Sequence, residues 1–282
     1  MASVGSKLYV FGGSDATRVA SDQLFSFDTG PSAAWTNIVN LNTPMARSYH
    51  SLVALDTSQK LLLFGGVDAS LQLLGDLHEV EVLDPGWAGV SATGSAPAAR
   101  KGHSMSASSS RLVYLFGGEG ASGLLNEAHQ LLTDTYEWSS LQTAGEIPLG
   151  RKGHAAVILD RRLFIFGGTG PSGNLNDLSS LNLDSLRWSS PRALGGAPGG
   201  RWGPAAASIA SDLVVYGGVG TGQEMLGDMW RMSRECQGQL ELTAAHETFS
   251  FGGALYLGTT NCSWRLRPSR ANQQVQLLFS DF

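Results

Sequence analysis

The stretch FIFGGTGPSGNLND, residues 164–177, joins an apolar run to a glycine-rich segment. Its glycines from Gly168 to Gly173 have the spacing G-x-G-x-x-G, which after a strand can form the loop that holds a dinucleotide pyrophosphate. In that site the last glycine opens a helix, but here the following segment alternates like a strand and runs to Trp188. Pro171 also lies inside the loop. The pattern therefore predicts a tight turn and a variable loop, not a nucleotide site.

The same apolar run with a glycine doublet occurs five times at a nearly constant distance. The copies read LYVFGG, LLLFGG, VYLFGG, LFIFGG and LVVYGG, and their second glycines are 53, 52, 50 and 50 residues apart. The doublets are Gly12 and Gly13, Gly65 and Gly66, Gly117 and Gly118, Gly167 and Gly168, and Gly217 and Gly218. A repeat of this length indicates a protein built from copies of one supersecondary unit.

Other positions keep the same period. Four units begin with a turn of the form RxxH or close to it: RSYH (47–50), RKGH (100–103), RKGH (151–154) and RWGP (201–204). After each doublet come a loop and an alternating segment, and a tryptophan closes four units: Trp35, Trp87, Trp138 and Trp188. Each unit is therefore predicted to hold four strands. The second strand is apolar on consecutive residues, so both of its faces must be covered.

A sixth copy is weaker. The segment HETFSFGGALYLGTT (246–260) aligns best with His246 as the turn histidine and ALYLGTT as the apolar strand.

The glycine doublet, the spaced tryptophan and the period of about 50 residues resemble the kelch repeat. The resemblance covers nearly the whole chain and implies an all-β fold, a six-bladed β-propeller with four-stranded antiparallel blades. Residues 1–282 would form this single domain, with blades at about 1–45, 46–97, 98–148, 149–198, 199–243 and 244–282. Blade 1 is expected to lack its turn and to be truncated at the N-terminus. Each blade is expected to come from contiguous chain, so that side-chain packing closes the ring.

Composition narrows the function classes. The net charge is −5, which disfavours nucleic acid, and no apolar run approaches the ~20 residues of a membrane span. The chain opens directly into MASVGSKLYVFGG, so no signal peptide is predicted. Cys236 and Cys262 are expected to be reduced thiols in a cytoplasmic or nuclear monomer, with a single disulfide after secretion as the alternative.

Residues for catalysis or metal binding form no convincing set. The kelch family includes a copper radical oxidase and iron-dependent specifier proteins, but no Glu-xxx-Asp-xxx-His motif occurs here. His50, His103 and His154 recur once per unit and are predicted to satisfy backbone groups in their own turns, with a ring around a central metal as the alternative. Acidic residues that recur in every unit are predicted to cap turns: Asp22, Asp76, Glu127, Asp177 and Asp228. We therefore predict no enzyme, no cofactor and no metal. A kelch-type enzyme or metal-dependent specifier is the alternative.

The recurring arginines are the candidate ligand site. Equivalent positions of successive blades lie on a circle, so the four turns should bring together one basic and aromatic set: Arg47, Tyr49, Arg100, Lys101, Arg151, Lys152, Arg201 and Trp202. Arginine binds carboxylates in bidentate fashion, and the resemblance implies an acidic peptide as ligand, as in ubiquitin-ligase adaptors. The alternative is that each arginine bonds a backbone or acidic neighbour within its blade. The chain is thus predicted to be an interaction module for a peptide or protein, in a ubiquitin-ligase or trafficking complex.

Overall fold

The computed structural model describes residues 1–15, 17, 19–31, 33–55, 59–109, 111–191, 197–210, 212–233 and 254–256. Within these ranges the chain consists of strands, turns and loops, without a helix. The strands form five successive sheets that pack face to face as propeller blades. The all-β propeller prediction is therefore confirmed at the level of the fold class.

Blades 1 and 2 are four-stranded antiparallel sheets made of consecutive strands. Blade 1 contains β1 (Ala2–Val4), β2 (Lys7–Phe11), β3 (Leu24–Asp28) and β4 (Trp35–Ile38). Blade 2 contains β5 (Ser51–Leu55), β6 (Lys60–Val67), β7 (Leu73–Glu81) and β8 (Trp87–Val90).

Blades 3 and 4 add a short fifth strand to the same plan. Blade 3 contains β9 (Thr93–Gly94), β10 (Ser104–Ser109), β11 (Leu112–Phe116), β14 (Ala128–Leu132) and β15 (Glu137–Ser140), with the hairpin β12 (Glu119–Gly120) and β13 (Gly123–Leu124) in its loop. Blade 4 contains β16 (Ala144–Gly145), β17 (Ala155–Leu159), β18 (Arg162–Phe166), β21 (Leu178–Asn182) and β22 (Arg187–Ser189), with the hairpin β19 (Thr169–Gly170) and β20 (Gly173–Asn174).

Blade 5 departs from the plan at its outer edge. Its strands are β24 (Ala205–Ile209), β25 (Asp212–Tyr216), β27 (Met229–Ser233) and β28 (Ala254–Tyr256), and β23 (Arg201–Trp202) pairs with β26 (Val219–Gly220) beside them. The last strand, β28, runs parallel to β27.

The count of six blades is corrected to five in the described part of the chain. Residues 254–256 were predicted to be the inner apolar strand of a sixth unit, but they form the outer strand of blade 5. The rest of the predicted sixth blade lies outside the described residues. The sequence misled here because a short apolar triplet fits either position, and strand pairing with β27 decides between them.

The core lies between blades, as the two-sided apolar strands predict. In β6, Leu61 and Leu63 pack against blade 1, whereas Leu62 and Phe64 pack against blade 3. Alternate side chains of a strand point to opposite faces, so one strand contributes to two core layers. The tryptophans Trp87, Trp138 and Trp188 are at most 3% exposed in these layers.

Trp35 differs from the other three, being 54% exposed. Trp35 lies opposite Phe27 in blade 1, as Trp87 lies opposite Val80 in blade 2. Trp87 and Val80 are on the face of blade 2 that packs against the preceding blade. Trp35 is therefore on the face of blade 1 that points away from blade 2. No described blade covers that face. The structural role predicted for all four tryptophans therefore holds for three of them in the described part.

Main-chain pairing between units corrects the expectation of self-contained blades. The segment after blade 2 supplies β9, which runs parallel to β15 of blade 3, and the segment after blade 3 supplies β16, parallel to β22 of blade 4. Leu41 likewise pairs with the edge of β8, since the Trp87 N–H donates to its carbonyl at 3.0 Å. Adjacent blades are therefore joined by backbone hydrogen bonds as well as by side-chain packing.

Candidate functional site

The four predicted turns come together in space. The Gly102 N–H donates to the Tyr49 carbonyl at 2.8 Å, the Gly153 N–H to the Gly102 carbonyl at 2.8 Å, and the Gly203 N–H to the Gly153 carbonyl at 2.7 Å. These bonds link blades 2 to 5 in order, one residue from each. We call the four turns at 47–50, 100–103, 151–154 and 201–204 the mouth. The prediction that these repeats share one end of the propeller is met by this geometry.

The four arginines of the mouth are buried, not presented to a ligand. Arg47, Arg100 and Arg151 are 0% exposed, and Arg201 is 1% exposed. Each guanidinium faces an acidic residue near the start of the third strand of its own blade: Asp76, Glu127, Asp177 and Asp228, respectively. In three blades the contact is bidentate, with N–O distances between 2.6 and 2.9 Å. A guanidinium fork matches a carboxylate in this way.

Each arginine also forms hydrogen bonds with two glycine doublets, one in its own blade and one in the preceding blade. The Nη1 of Arg151 donates to the Gly167 carbonyl of its own blade at 3.1 Å, and its backbone carbonyl accepts from the Gly118 N–H of the preceding blade at 2.8 Å. Arg47, Arg100 and Arg201 repeat the bond to their own doublet at 3.1, 3.1 and 2.9 Å. The prediction that these arginines bind a ligand is therefore corrected: they hold neighbouring blades together, as the alternative interpretation had it.

The ion pairs with the arginines lower the pKa of the carboxylates. Burial alone would raise the pKa of Asp76, but hydrogen bonds from Arg47 and His78 outweigh it and hold the pKa well below its usual range. The hydrogen bond from Arg201 lowers the pKa of Asp228 in the same direction. These acidic residues were predicted to cap turns. Their contacts show that their role is to neutralise a buried arginine.

The turn histidines pack against the preceding blade instead of satisfying their own turns. His50, His103 and His154 meet Phe11, Phe64 and Phe116 edge-on, with ring centroids 5.6, 5.5 and 5.4 Å apart. The same phenylalanines also contact Trp87, Trp138 and Trp188, with ring centroids 4.9, 5.5 and 5.1 Å apart. Burial is the main cause that lowers the pKa of all three histidines to about 3. His103 and His154 are therefore neutral core residues, and His50 is a neutral, partly buried one.

The glycine doublet is required by this packing. A Cβ on Gly65 would lie 2.8 Å from the Arg100 carbonyl oxygen and 2.9 Å from Cε1 of His103. Its φ of +67° also belongs to the left-handed region that favours glycine. The doublet therefore allows the turn of the next blade to approach closely.

A cavity opens at the mouth beside the buried arginines. It measures about 340 Å³ and is lined by side chains and glycines of all four turns, together with Thr169: Tyr49, Lys101, Gly102, Lys152, Gly153, Trp202 and Gly203. The four non-arginine residues predicted for the ligand site, Tyr49, Lys101, Lys152 and Trp202, all belong to this lining. Their ligand-binding role stays a prediction.

The two lysines share one carboxylate. Glu119 lies 3.3 Å from Lys101 Nζ in its own blade and 2.6 Å from Lys152 Nζ in the next blade. The hydrogen bond from Lys152 is the main cause that lowers the pKa of Glu119. Both lysine side chains stay about one-third exposed, at 34% and 38%. Sequence reasoning missed Glu119, although its place directly after a glycine doublet is a signal that could have identified it.

Further predicted features lie partly beyond the described residues. Among the described residues, no three histidine, cysteine, aspartate or glutamate side chains come together as a metal site. Cys236 and Cys262 lie outside the described residues. In the part of the chain that the structure describes, no helix is long and apolar enough to cross a membrane.

Comparison with known proteins gives one family and several relatives. The profile of the KLHDC2/KLHL20/DRC7 Kelch-repeats domain matches residues 1–139 and 111–247. The chain is 34% identical over 116 residues to acyl-CoA-binding domain-containing protein 5 of Arabidopsis thaliana, covering 41% of this chain and 18% of that protein. It is 29% identical over 163 residues to the Rab9 effector protein with kelch motifs of Bos taurus, covering 56% and 42%.

Kelch domain-containing protein 3 of Homo sapiens is 28% identical over 171 residues, which cover 55% of this chain and 44% of that protein. The matched segments thus span less than half the length of these three relatives. The family profile, in contrast, covers most of the present sequence. The chain belongs to the kelch-repeat β-propeller family.

Proposed function

We propose that the chain is a non-enzymatic interaction module that binds a carboxylate-bearing segment of a protein partner at the mouth. The observation that carries this proposal is the pair Lys101 and Lys152, which line the mouth cavity and share the single carboxylate of Glu119. Two cations against one anion leave a local charge of +1. The buried arginines add nothing accessible, because each is matched by its own acidic residue.

The geometry favours an acidic ligand. The lysine ammonium groups are partly withdrawn from solvent, where an ion pair is stronger than at a fully exposed site. A ligand carboxylate that approaches Lys101 or Lys152 need not displace Glu119. Lysine offers three donors, so each ammonium can hold Glu119 and a second acceptor together.

The size of the cavity limits what enters it. At about 340 Å³ it lies at the lower end of the volumes typical of ligand pockets. It therefore admits one or two side chains of a partner. The loops after the glycine doublets differ in sequence between blades and stand beside the mouth, so they can contact the rest of the partner: residues 67–74, 119–125, 169–176 and 219–226.

The proposal extends to the complexes in which the module acts. One relative is by its name a Rab9 effector, which supports a role in a trafficking complex; substrate recognition for a ubiquitin ligase is the other setting proposed for this module. We propose a monomeric propeller in the cytoplasm or nucleus.

Selection from a library of random heptapeptides displayed on phage tests the proposal. The wild-type protein should enrich peptides that contain Asp or Glu, and enrichment should weaken as salt is raised because the lysines are partly exposed. The variant Lys101→Gln with Lys152→Gln should lose the acidic preference. Lys7→Gln, at the end of β2 opposite to its glycine doublet, is the matched control and should keep it. An equal acidic preference in the double variant, or none in the wild type, would contradict the proposal.

A further inference from the structure

Tyr49 occupies a backbone position at which the other turns have glycine. Its φ is +56°, and the equivalent residues Gly102, Gly153 and Gly203 have φ values of +63°, +63° and +65°. The left-handed region is uncommon for non-glycine residues and disfavours bulky ones, because the Cβ crowds the backbone. The turn itself therefore does not require a tyrosine, and glycine would serve it better.

The tyrosine side chain also contributes little to the fold. It is 55% exposed, and within the described part of the chain its hydroxyl has no hydrogen-bond partner. A strained backbone that supports an exposed aromatic ring is typical of a residue kept for contact with a ligand. The ring lines the mouth cavity, next to the lysine pair.

Trp202 stands at the other end of the same arc. It lines the cavity from blade 5, and its Cε3 lies 3.6 Å from the point where a Cβ on Gly153 would be. The indole thus lies over the glycine of the preceding turn. From blade 2 to blade 5 the mouth presents an aromatic ring, two ammonium groups and a second aromatic ring: Tyr49, Lys101, Lys152 and Trp202.

We propose that Tyr49 and Trp202 are the specificity-determining walls of the mouth and select a large apolar or aromatic side chain of the partner beside the carboxylate held by the lysines. The inference rests on the proposed function and narrows its ligand class. Rigid aromatic rings bury large apolar area at a small cost in side-chain entropy, which is why such residues dominate binding interfaces. Gly102, Gly153 and Gly203 line the cavity between the rings and add no side chain to it.

The test uses the same displayed heptapeptide library with three proteins: wild type, Tyr49→Gly and Tyr49→Phe. The wild type should enrich peptides that combine Asp or Glu with Phe, Tyr, Trp or Leu. Tyr49→Gly should reduce the enrichment of these large side chains by about fivefold and keep the acidic preference. Tyr49→Phe should behave like the wild type. The thermal midpoint of Tyr49→Gly should not fall, because glycine is the residue that the other three turns use.

The outcomes separate the two claims. If the wild type shows the acidic preference but selects no large apolar side chain, or if Tyr49→Gly selects them as strongly as the wild type, the inference is wrong and the proposed function stands. A lowered thermal midpoint in Tyr49→Gly together with unchanged selection would make Tyr49 a structural residue. If no acidic peptide is enriched by any of the three proteins, the proposed function fails, and the inference fails with it.

Discussion

The same four turns carry two sets of side chains, one buried between blades and one at the mouth cavity. The arginines at positions 47, 100, 151 and 201 are at most 1% exposed and bond their own blade and the preceding one. The residues directly after them differ from blade to blade, and three of the four turns place a lysine, a second lysine and a tryptophan at the cavity. The constant residue builds the frame, and the variable residue next to it lines the cavity in three of the four turns.

The largest effect on stability is expected when an arginine of the frame is replaced, and Arg151 is the test case. Arg151→Ala removes a bidentate bond to Asp177 and the bond to the Gly167 carbonyl, and leaves that carbonyl buried. Because Arg151 is fully buried but the Asp177 side chain is about half exposed, the loss of these hydrogen bonds should cost about 2–3 kcal/mol of unfolding free energy. Lys152→Ala, one residue later, should cost less than about 1 kcal/mol. Urea titrations of both variants measure the two values. Equal losses would show that the turn has no separate frame and ligand positions.

A pH titration probes mainly the turn histidines of the frame, with a smaller expected effect. The folded pKa of His50, His103 and His154 is about 3, against an ordinary value of 6.5. Between these values the unfolded chain binds protons that the folded chain excludes, so stability falls as the pH falls. From pH 7.5 to pH 6 the three histidines together should cost about 2 kcal/mol, while carboxylates with ordinary pKa values near 4 stay ionised.

The measurement is the urea midpoint at each pH. His103→Leu should reduce the slope, since one titrating ring is gone. Part of the slope should remain, because burial also lowers the pKa of His129 and of the N-terminal amine. A midpoint that does not change between pH 7.5 and pH 6 would contradict the burial of these rings in the frame.

Sequence patterns predicted the features that depend on neighbouring residues along the chain. The apolar strand, the glycine doublet and the buried Trp87, Trp138 and Trp188 follow from periodicity, since a strand apolar on both faces must be covered and a close approach needs glycine. The repeat also located the mouth correctly. What it could not supply is the partner of each residue in space.

Arg47 and Asp76 are 29 residues apart in sequence, and recurrence alone does not distinguish a buried pair from an exposed binding ring. The same limit applies to β9 and β16, which follow one blade and pair with the next, because two-residue strands leave no periodic signal. Trp35 matches its counterparts in sequence and differs only because no described blade covers its face. The strain at Tyr49 likewise appears only in its φ of +56°.

The smallest expected effect on stability belongs to the lysines of the mouth. Lys101→Gln with Lys152→Gln removes two partly exposed ion pairs to Glu119, and such pairs contribute about 0–1 kcal/mol each. The thermal midpoint of the double variant should therefore stay within a few degrees of the wild type. A large drop would place the lysines in the frame with the arginines.

The central claim is that Lys101→Gln with Lys152→Gln keeps the fold but binds acidic peptides more weakly. The direct measurement is a fluorescence anisotropy titration of the most enriched acidic heptapeptide against the wild type and against Lys101→Gln with Lys152→Gln. The double variant should have a dissociation constant about tenfold higher, the loss expected when a charge-assisted hydrogen bond of about 1.5 kcal/mol is removed. Equal dissociation constants for the two proteins would contradict it.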